Sequence, residues 1–172
     1  MEILEVLKYT LPALIVFLTA YFLIRAFIRN DQEKRKHEII LQNQKNVTPI
    51  RLQAYERVIL FLERISLESL IMRTSKQGMT SKQIQTSMLN AIRAEFDHNL
   101  SQQVYMTPAA WEIIKNAKFN TIKIINSSAD HVKQGAPAIE FSRYILEKVM
   151  EMDKEPTKIA LDYLKKEVST FF

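Results

Sequence analysis

The sequence predicts an all-α protein with one N-terminal transmembrane helix, a helical stalk and an antiparallel bundle of about five helices. Three observations carry this prediction. An uncharged apolar run stands near the amino terminus, only two glycines occur in 172 residues, and apolar residues then recur at spacings of three and four. Low glycine with abundant Leu, Ile, Lys, Glu and Gln favours helices over strands. We place the three parts at residues 1–29, 30–47 and 48–172.

The predicted transmembrane helix runs from Tyr9 to Ile28. It carries no charge as far as Ile24, and Arg25 can extend its guanidinium group toward lipid headgroups. About 20 residues at ~1.5 Å per residue cover roughly 30 Å, the thickness of the hydrocarbon core. Acidic residues precede the run and no small-x-small cleavage site follows it, which favours a retained anchor over the alternative, a cleaved signal peptide.

The flanking charges predict the orientation of this anchor. Basic residues near a membrane-spanning helix stay on the cytoplasmic side, and one lysine precedes the apolar run whereas a basic cluster follows it. The candidate membrane-proximal basic residues are Arg25, Arg29, Lys34, Arg35 and Lys36. We therefore expect a single-pass protein with its N-terminus outside and its C-terminal domain in the cytoplasm.

Local signals divide the rest of the chain into helices. Thr48–Pro49 and Thr107–Pro108 predict helix starts, because threonine caps a helix and proline suits its first turn. Thr80 and Gln83 match a capping box. The segment Gly135–Pro137 predicts a break. The predicted helices cover about residues 49–65, 66–73, 80–103, 108–132, 137–152 and 156 onward.

Composition excludes several kinds of chemistry. The chain has no cysteine, so disulfides, thiolate metal sites and cysteine nucleophiles are excluded. Its two glycines cannot form a phosphate-binding loop or a dinucleotide fingerprint. No serine lies in a G-x-S-x-G turn. We therefore predict no catalytic, cofactor-binding or metal-binding residues, no cofactor and no enzymatic activity.

The densest polar stretch is the candidate protein-binding surface, which we call the polar ledge. It consists of Glu95, Asp97, His98, Asn99, Gln102 and Gln103. Glu95 and His98 have the spacing of a bundle metal motif, but such sites need two copies and two further glutamates, and the sequence has one copy. The alternative is a polar helix end, where the amides satisfy terminal carbonyls and Glu95 pairs with a nearby base.

The positive charge of the chain is uneven. The net charge is +5, and the segment Lys45–Arg93 holds eight basic residues against three acidic ones. This segment could attract anionic lipid or, as a weaker expectation, nucleic acid. Ordinary solvated helix faces are the competing interpretation.

Three stretches of the sequence resemble a family of uncharacterised single-span proteins from Bacteroidota. They are Pro49–Arg57 (PIRLQAYER), Glu95–Tyr105 (EFDHNLSQQVY), and Trp111 followed by Ala117–Lys118. The resemblance covers nearly the whole chain. It implies an inner-membrane protein with a cytoplasmic helical domain, and it implies no activity and no functional residue.

The sequence thus predicts a membrane-tethered, non-enzymatic helical adaptor or accessory subunit of an inner-membrane protein complex. Its expected partners are the lipid bilayer and either another protein or a second copy of itself. The alternative is a membrane-apposed binder of anionic lipid or nucleic acid that uses residues 45–93. A metal-dependent enzyme built on Glu95 and His98 is a third class, and the missing second half-site weighs against it.

Overall fold

A computed structural model describes the backbone of residues 2–171 and the side chains of residues 12 and 14–170. Over this part of the chain the structure is helical and contains no β-strand, so the predicted all-α class is confirmed. The α-helices are α1 (Glu2–Arg64), α2 (Leu67–Thr74), α3 (Ser81–Asn99), α4 (Pro108–Ala129), α5 (Ala138–Glu151) and α6 (Pro156–Val168). Short 3-10 helices cover Leu100–Tyr105 and Ser169–Phe171.

The predicted transmembrane helix is wrong, because no helix among the described residues is long and apolar enough to cross a membrane. A spanning helix needs about 20 predominantly apolar residues. Among the residues whose side chains are described, Arg25 and Arg29 place two charges at the C-terminal end of the predicted span. Residues 9–11 and 13 of the predicted span lie outside the described side chains.

The chain divides into two compact units, Met1–Val47 and Thr48–Phe172. The first unit consists of the N-terminal part of α1, whose described apolar side chains are exposed, as at Phe27 with 73% of its surface accessible. The five basic residues of the predicted cluster are all exposed as well. Arg35 forms an ion pair with Asp31 at 2.9 Å, a pairing that supports an exposed helix only weakly.

Helix α1 is longer than predicted, because it continues through the predicted start at Thr48–Pro49. Proline lacks the N–H group that would bond the carbonyl four residues earlier, here that of Lys45. No glycine lies between residue 30 and Pro49, so this one missing bond is not accompanied by a flexible break. Residues 30–47, the predicted stalk, are therefore helical.

The starts of α3 and α4 are those that the sequence predicts. Thr80 Oγ1 accepts a hydrogen bond from the Gln83 N–H at 3.4 Å, and Gln83 Oε1 accepts one from the Thr80 N–H at 2.9 Å. Thr107 Oγ1 accepts from the Ala110 N–H at 3.2 Å, and Pro108 occupies the first turn. These bonds satisfy backbone donors that a helix start leaves free.

The N-terminus of α2 is stabilised from a distant part of the chain. Ser66, which precedes the helix, makes no side-chain capping bond. Instead Glu155, from the segment between α5 and α6, accepts a hydrogen bond from the Leu67 N–H at 2.7 Å through its Oε1. Glu155 is buried, and its negative charge suits the positive end of the helix dipole. This contact joins residues 88 positions apart.

The core of the second unit is built from one face of each helix. The largest fully buried side chains are Tyr55, Phe61, Phe141, Leu62, Ile65, Leu67, Leu70, Ile84, Met88, Ile92, Ile114 and Ile125. On α5 the side chains of Ala138, Phe141 and Ile145 are buried, whereas those of Ile139 and Leu146 are exposed.

Candidate functional site

A groove lies between the last turns of α1 and the end of α3, and we call it the α1–α3 groove. Its volume is about 150 Å³. Helix α1 supplies Arg57, Leu60, Phe61 and Arg64, and helix α3 supplies Glu95, His98 and Asn99. The structure therefore brings three residues of the polar ledge together with an arginine-rich face of α1.

The helical period explains the α1 wall of the groove. Arg57, Leu60 and Arg64 are spaced by three and four residues, so they lie on one face of the helix. All three are exposed, and 61% of the Leu60 surface is accessible. Phe61, the next residue along, turns into the core and is buried. The wall thus presents one large apolar side chain between two cations.

Glu95 is held by two arginines from other helices. Its Oε1 lies 2.9 Å from Arg64 Nε and 3.1 Å from Arg73 Nη2. The Glu95 side chain is mostly buried, and Arg73 also donates to the Arg64 carbonyl at 3.5 Å. Charge-assisted bonds of this kind are stronger than neutral ones. They join α1, α2 and α3, so the carboxylate has a structural role at the base of the groove.

Asp97, His98 and Gln103 of the polar ledge are exposed. His98 lines the groove, whereas Asp97 and Gln103 lie outside its lining. No three His, Asp or Glu side chains of the described residues come together as a set that could hold a metal ion. His98 is therefore available for contact with an incoming molecule, beside a carboxylate that is already paired.

The two amides that were expected to face a partner are buried. Asn99 has 7% of its surface exposed, and its Nδ2 donates to the Glu95 carbonyl at 2.8 Å. Gln102 has 9% exposed, and its Nε2 donates to Ser101 Oγ at 3.3 Å. Asn99 thus satisfies a carbonyl where α3 ends and the 3-10 helix begins, as the alternative interpretation of the polar ledge expects.

A row of aromatic rings supports the floor of the groove. The Phe61 and Phe96 ring centres are 5.9 Å apart, and Phe96 stacks on Trp111 at 5.7 Å. Lys118 Nζ lies 3.5 Å from the centre of the Phe96 ring. Burial lowers the pKa of Lys118, and the charge of Asp97 partly opposes that effect. Because aromatic cores pack densely, the floor is a rigid support for the exposed residues.

The groove has an excess of positive charge. Its lining holds two arginines, Arg57 and Arg64, and the single carboxylate of Glu95, which Arg73 also contacts from outside the lining. Arg57 forms no ion pair with any residue that the structure describes, so its charge faces solvent. Arg57 and Leu60 were not among the predicted site residues. The sequence does contain a signal for them, because a leucine lies between two arginines, at spacings of three and four residues, on one face of a helix.

The chain belongs to DUF7935, a family of unknown function, because the family model matches residues 1–171. This match confirms the expectation of an uncharacterised family. No curated protein and no solved structure matches the chain with significant similarity.

Proposed function

We propose that this family member is a non-enzymatic helical adaptor whose bundle binds another protein through the α1–α3 groove. The observation that carries the proposal is the exposure of Leu60 between Arg57 and Arg64, above a floor held by buried aromatic rings. A large apolar side chain in water between two cations gains free energy when a partner covers it.

The composition of the groove is typical of a binding surface. Arginine is enriched where proteins meet, and the strongest contacts centre on residues whose surroundings exclude water. The groove also has a preorganised base, since Glu95 and Asn99 are held by bonds within the chain. A preorganised surface loses less conformational entropy when it binds.

The absence of catalysis is part of the same proposal. Glu95, the carboxylate that lines the groove, is engaged in ion pairs with Arg64 and Arg73 within the chain. His98 is exposed and shares the groove with no serine, threonine or other hydroxyl side chain. These features support a binding role.

The test is site-specific photocrosslinking in cells of the source organism. Full-length protein carries benzoylphenylalanine at position 60 or, as a matched control, at position 119. Phe119 on α4 is 62% exposed, nearly the same as Leu60 at 61%. We expect a covalent adduct with another protein from position 60 and little from position 119. Equal yields from both positions, or no adduct from position 60, would contradict the proposal.

The alternative, binding of lipid or nucleic acid through residues 45–93, has less support. Four of its basic residues are used in bonds within the bundle: Arg51, Arg64, Arg73 and Lys82. The inner-membrane location, the bilayer as a partner and the Bacteroidota origin stay predictions of the sequence, and none of them is required for a groove that binds protein.

A further inference from the structure

We infer that the partner segment bound in the α1–α3 groove is an acidic amphipathic helix, an inference that rests on the proposed function. One apolar side chain of that helix enters the groove beside Leu60, and flanking carboxylates pair with Arg57 and His98. The inference concerns the chemistry of the partner, which the proposed function leaves open.

Charge complementarity identifies the acidic character. Glu95 already compensates part of the charge of Arg64 and Arg73, but nothing in the described chain pairs with Arg57. A basic partner would be repelled by the remaining positive charge, and a neutral one would leave Arg57 partly desolvated without a partner. A partner carboxylate opposite Arg57 avoids both the repulsion and the unpaired, desolvated charge. It can also form two parallel hydrogen bonds, because the guanidinium group of arginine matches the geometry of a carboxylate.

The volume of the groove sets the size of the apolar anchor. A cavity of about 150 Å³ has room for a benzene-sized group, and the α1–α3 groove has about this volume. Its lining is mostly polar, so an apolar anchor of leucine or phenylalanine size fits only on the side formed by Leu60 and Phe61. Leu60 forms one wall of that space, and Phe61 contributes to its lining from below.

The spacing along α1 favours a helix over an extended peptide. Arg57 and Arg64 are seven residues apart, which is roughly 10 Å or two helical turns. A partner helix that packs alongside α1 presents side chains with the same repeat. A carboxylate, an apolar anchor and a polar group on one of its faces can therefore lie opposite Arg57, Leu60 and Arg64, respectively. Amphipathic helices commonly bind hydrophobic grooves through such periodic anchors.

Phosphate-bearing partners fit the groove less well. Binding to nucleic acid or to anionic lipid gains affinity from several simultaneous cation contacts. In the groove Arg64 is already engaged by Glu95, and the space beside Leu60 suits an apolar side chain. A protein segment with alternating carboxylates and apolar residues uses both features.

The experiment extends the crosslinking at position 60 by identifying the attached molecule and by changing Arg57. Mass spectrometry of the adduct should reveal a peptide with a helical repeat of apolar residues and a net negative charge. Arg57→Glu should lower the adduct yield about tenfold, the effect of one charge pair lost and replaced by repulsion. Arg57→Lys, which keeps the positive charge, should keep most of the yield.

Arg143→Glu serves as the control for charge reversal, because Arg143 is exposed on α5 and lies outside the groove. It should leave the adduct yield unchanged. Circular dichroism of Arg57→Glu and Arg57→Lys checks that both fold, which the exposed position of Arg57 permits. If the crosslinked peptide is neutral or basic, or if Arg57→Glu does not change the adduct yield, the inference is wrong but the proposed function is not contradicted. A lipid or nucleic-acid adduct overturns both the inference and the proposed function. The absence of any specific adduct overturns the proposed function and, with it, the inference.

Discussion

Helix α1 contains two apolar regions that differ in their exposure to solvent. In residues 14–28 the large apolar side chains are exposed, whereas in residues 54–65 most of them are buried in the core of the second unit. The first region is the richer in apolar residues, and they occur on all sides of the helix. In the second region Ala54, Val58 and Phe61 recur at spacings of three and four, which confines them to one face.

The helical periodicity of apolar residues, more than their number, therefore marks the part of α1 that packs into a core within its own chain. One apolar face can be covered by neighbouring helices while the opposite face stays in water. A helix with apolar residues on all sides has no polar face that could remain in water while an apolar face is covered. A change among the buried residues of the second unit can therefore be compared with a change at an exposed position in residues 14–47.

The largest expected effect is the loss of a buried aromatic ring. Phe141→Ala should lower the free energy of unfolding of the bundle by about 3–5 kcal/mol, because it removes apolar contacts and leaves a cavity. Phe27→Ala, at an exposed position, should change it by less than about 0.5 kcal/mol. Urea unfolding followed by the fluorescence of Trp111, the single tryptophan, measures both. Similar losses in the two variants would refute the distinction between the regions.

A smaller effect is expected from the buried carboxylate that caps α2. Glu155→Ala removes the acceptor of the Leu67 N–H and should cost about 1–3 kcal/mol of bundle stability. Glu155→Gln keeps an acceptor oxygen and should cost less. Glu38→Ala, an exposed glutamate in the first unit, is the matched control and should be nearly neutral. If Glu155→Ala is also neutral, the long-range capping contact contributes nothing.

The smallest effect concerns Tyr55, which is buried in the second region of α1. Burial raises the pKa of its phenol from the ordinary 10.0, and the charge of Glu167 raises it further, while bonds to Thr107 and Arg51 act in the other direction. The unfolded chain therefore loses this proton at a lower pH than the folded chain. The neutral phenol contributes its full stability below about pH 10, and this contribution declines as pH rises through the raised folded-state pKa.

The measurement for Tyr55 is urea unfolding at several pH values between about 9 and 11. We expect the stability of the parent protein to fall more steeply over this range than that of Tyr55→Phe, which has no phenol proton. Tyr21→Phe, a substitution in the first region, serves as the control. A slope that is the same in the parent protein and in Tyr55→Phe would show that this tyrosine is not coupled to folding.

Part of the candidate site was predictable and part was not. Glu95 and His98 were found because polar residues cluster at the end of a predicted helix, and both line the α1–α3 groove. Asn99 and Gln102 belong to the same cluster, yet the chain turns both into the interior where α3 tightens into a 3-10 helix. Which polar residue of a helix end faces outward depends on a local rotation that composition does not specify.

The helical class and the starts of α3 and α4 follow from local residue patterns, because caps act within one turn and need no distant partner. Three other features arise from long-range packing: the contacts of Glu95 with Arg64 and Arg73, the capping of α2 by Glu155, and the exposure of Leu60 beside α3. These outcomes depend on which helices meet and at what height, and that choice is made by the packing of the whole core.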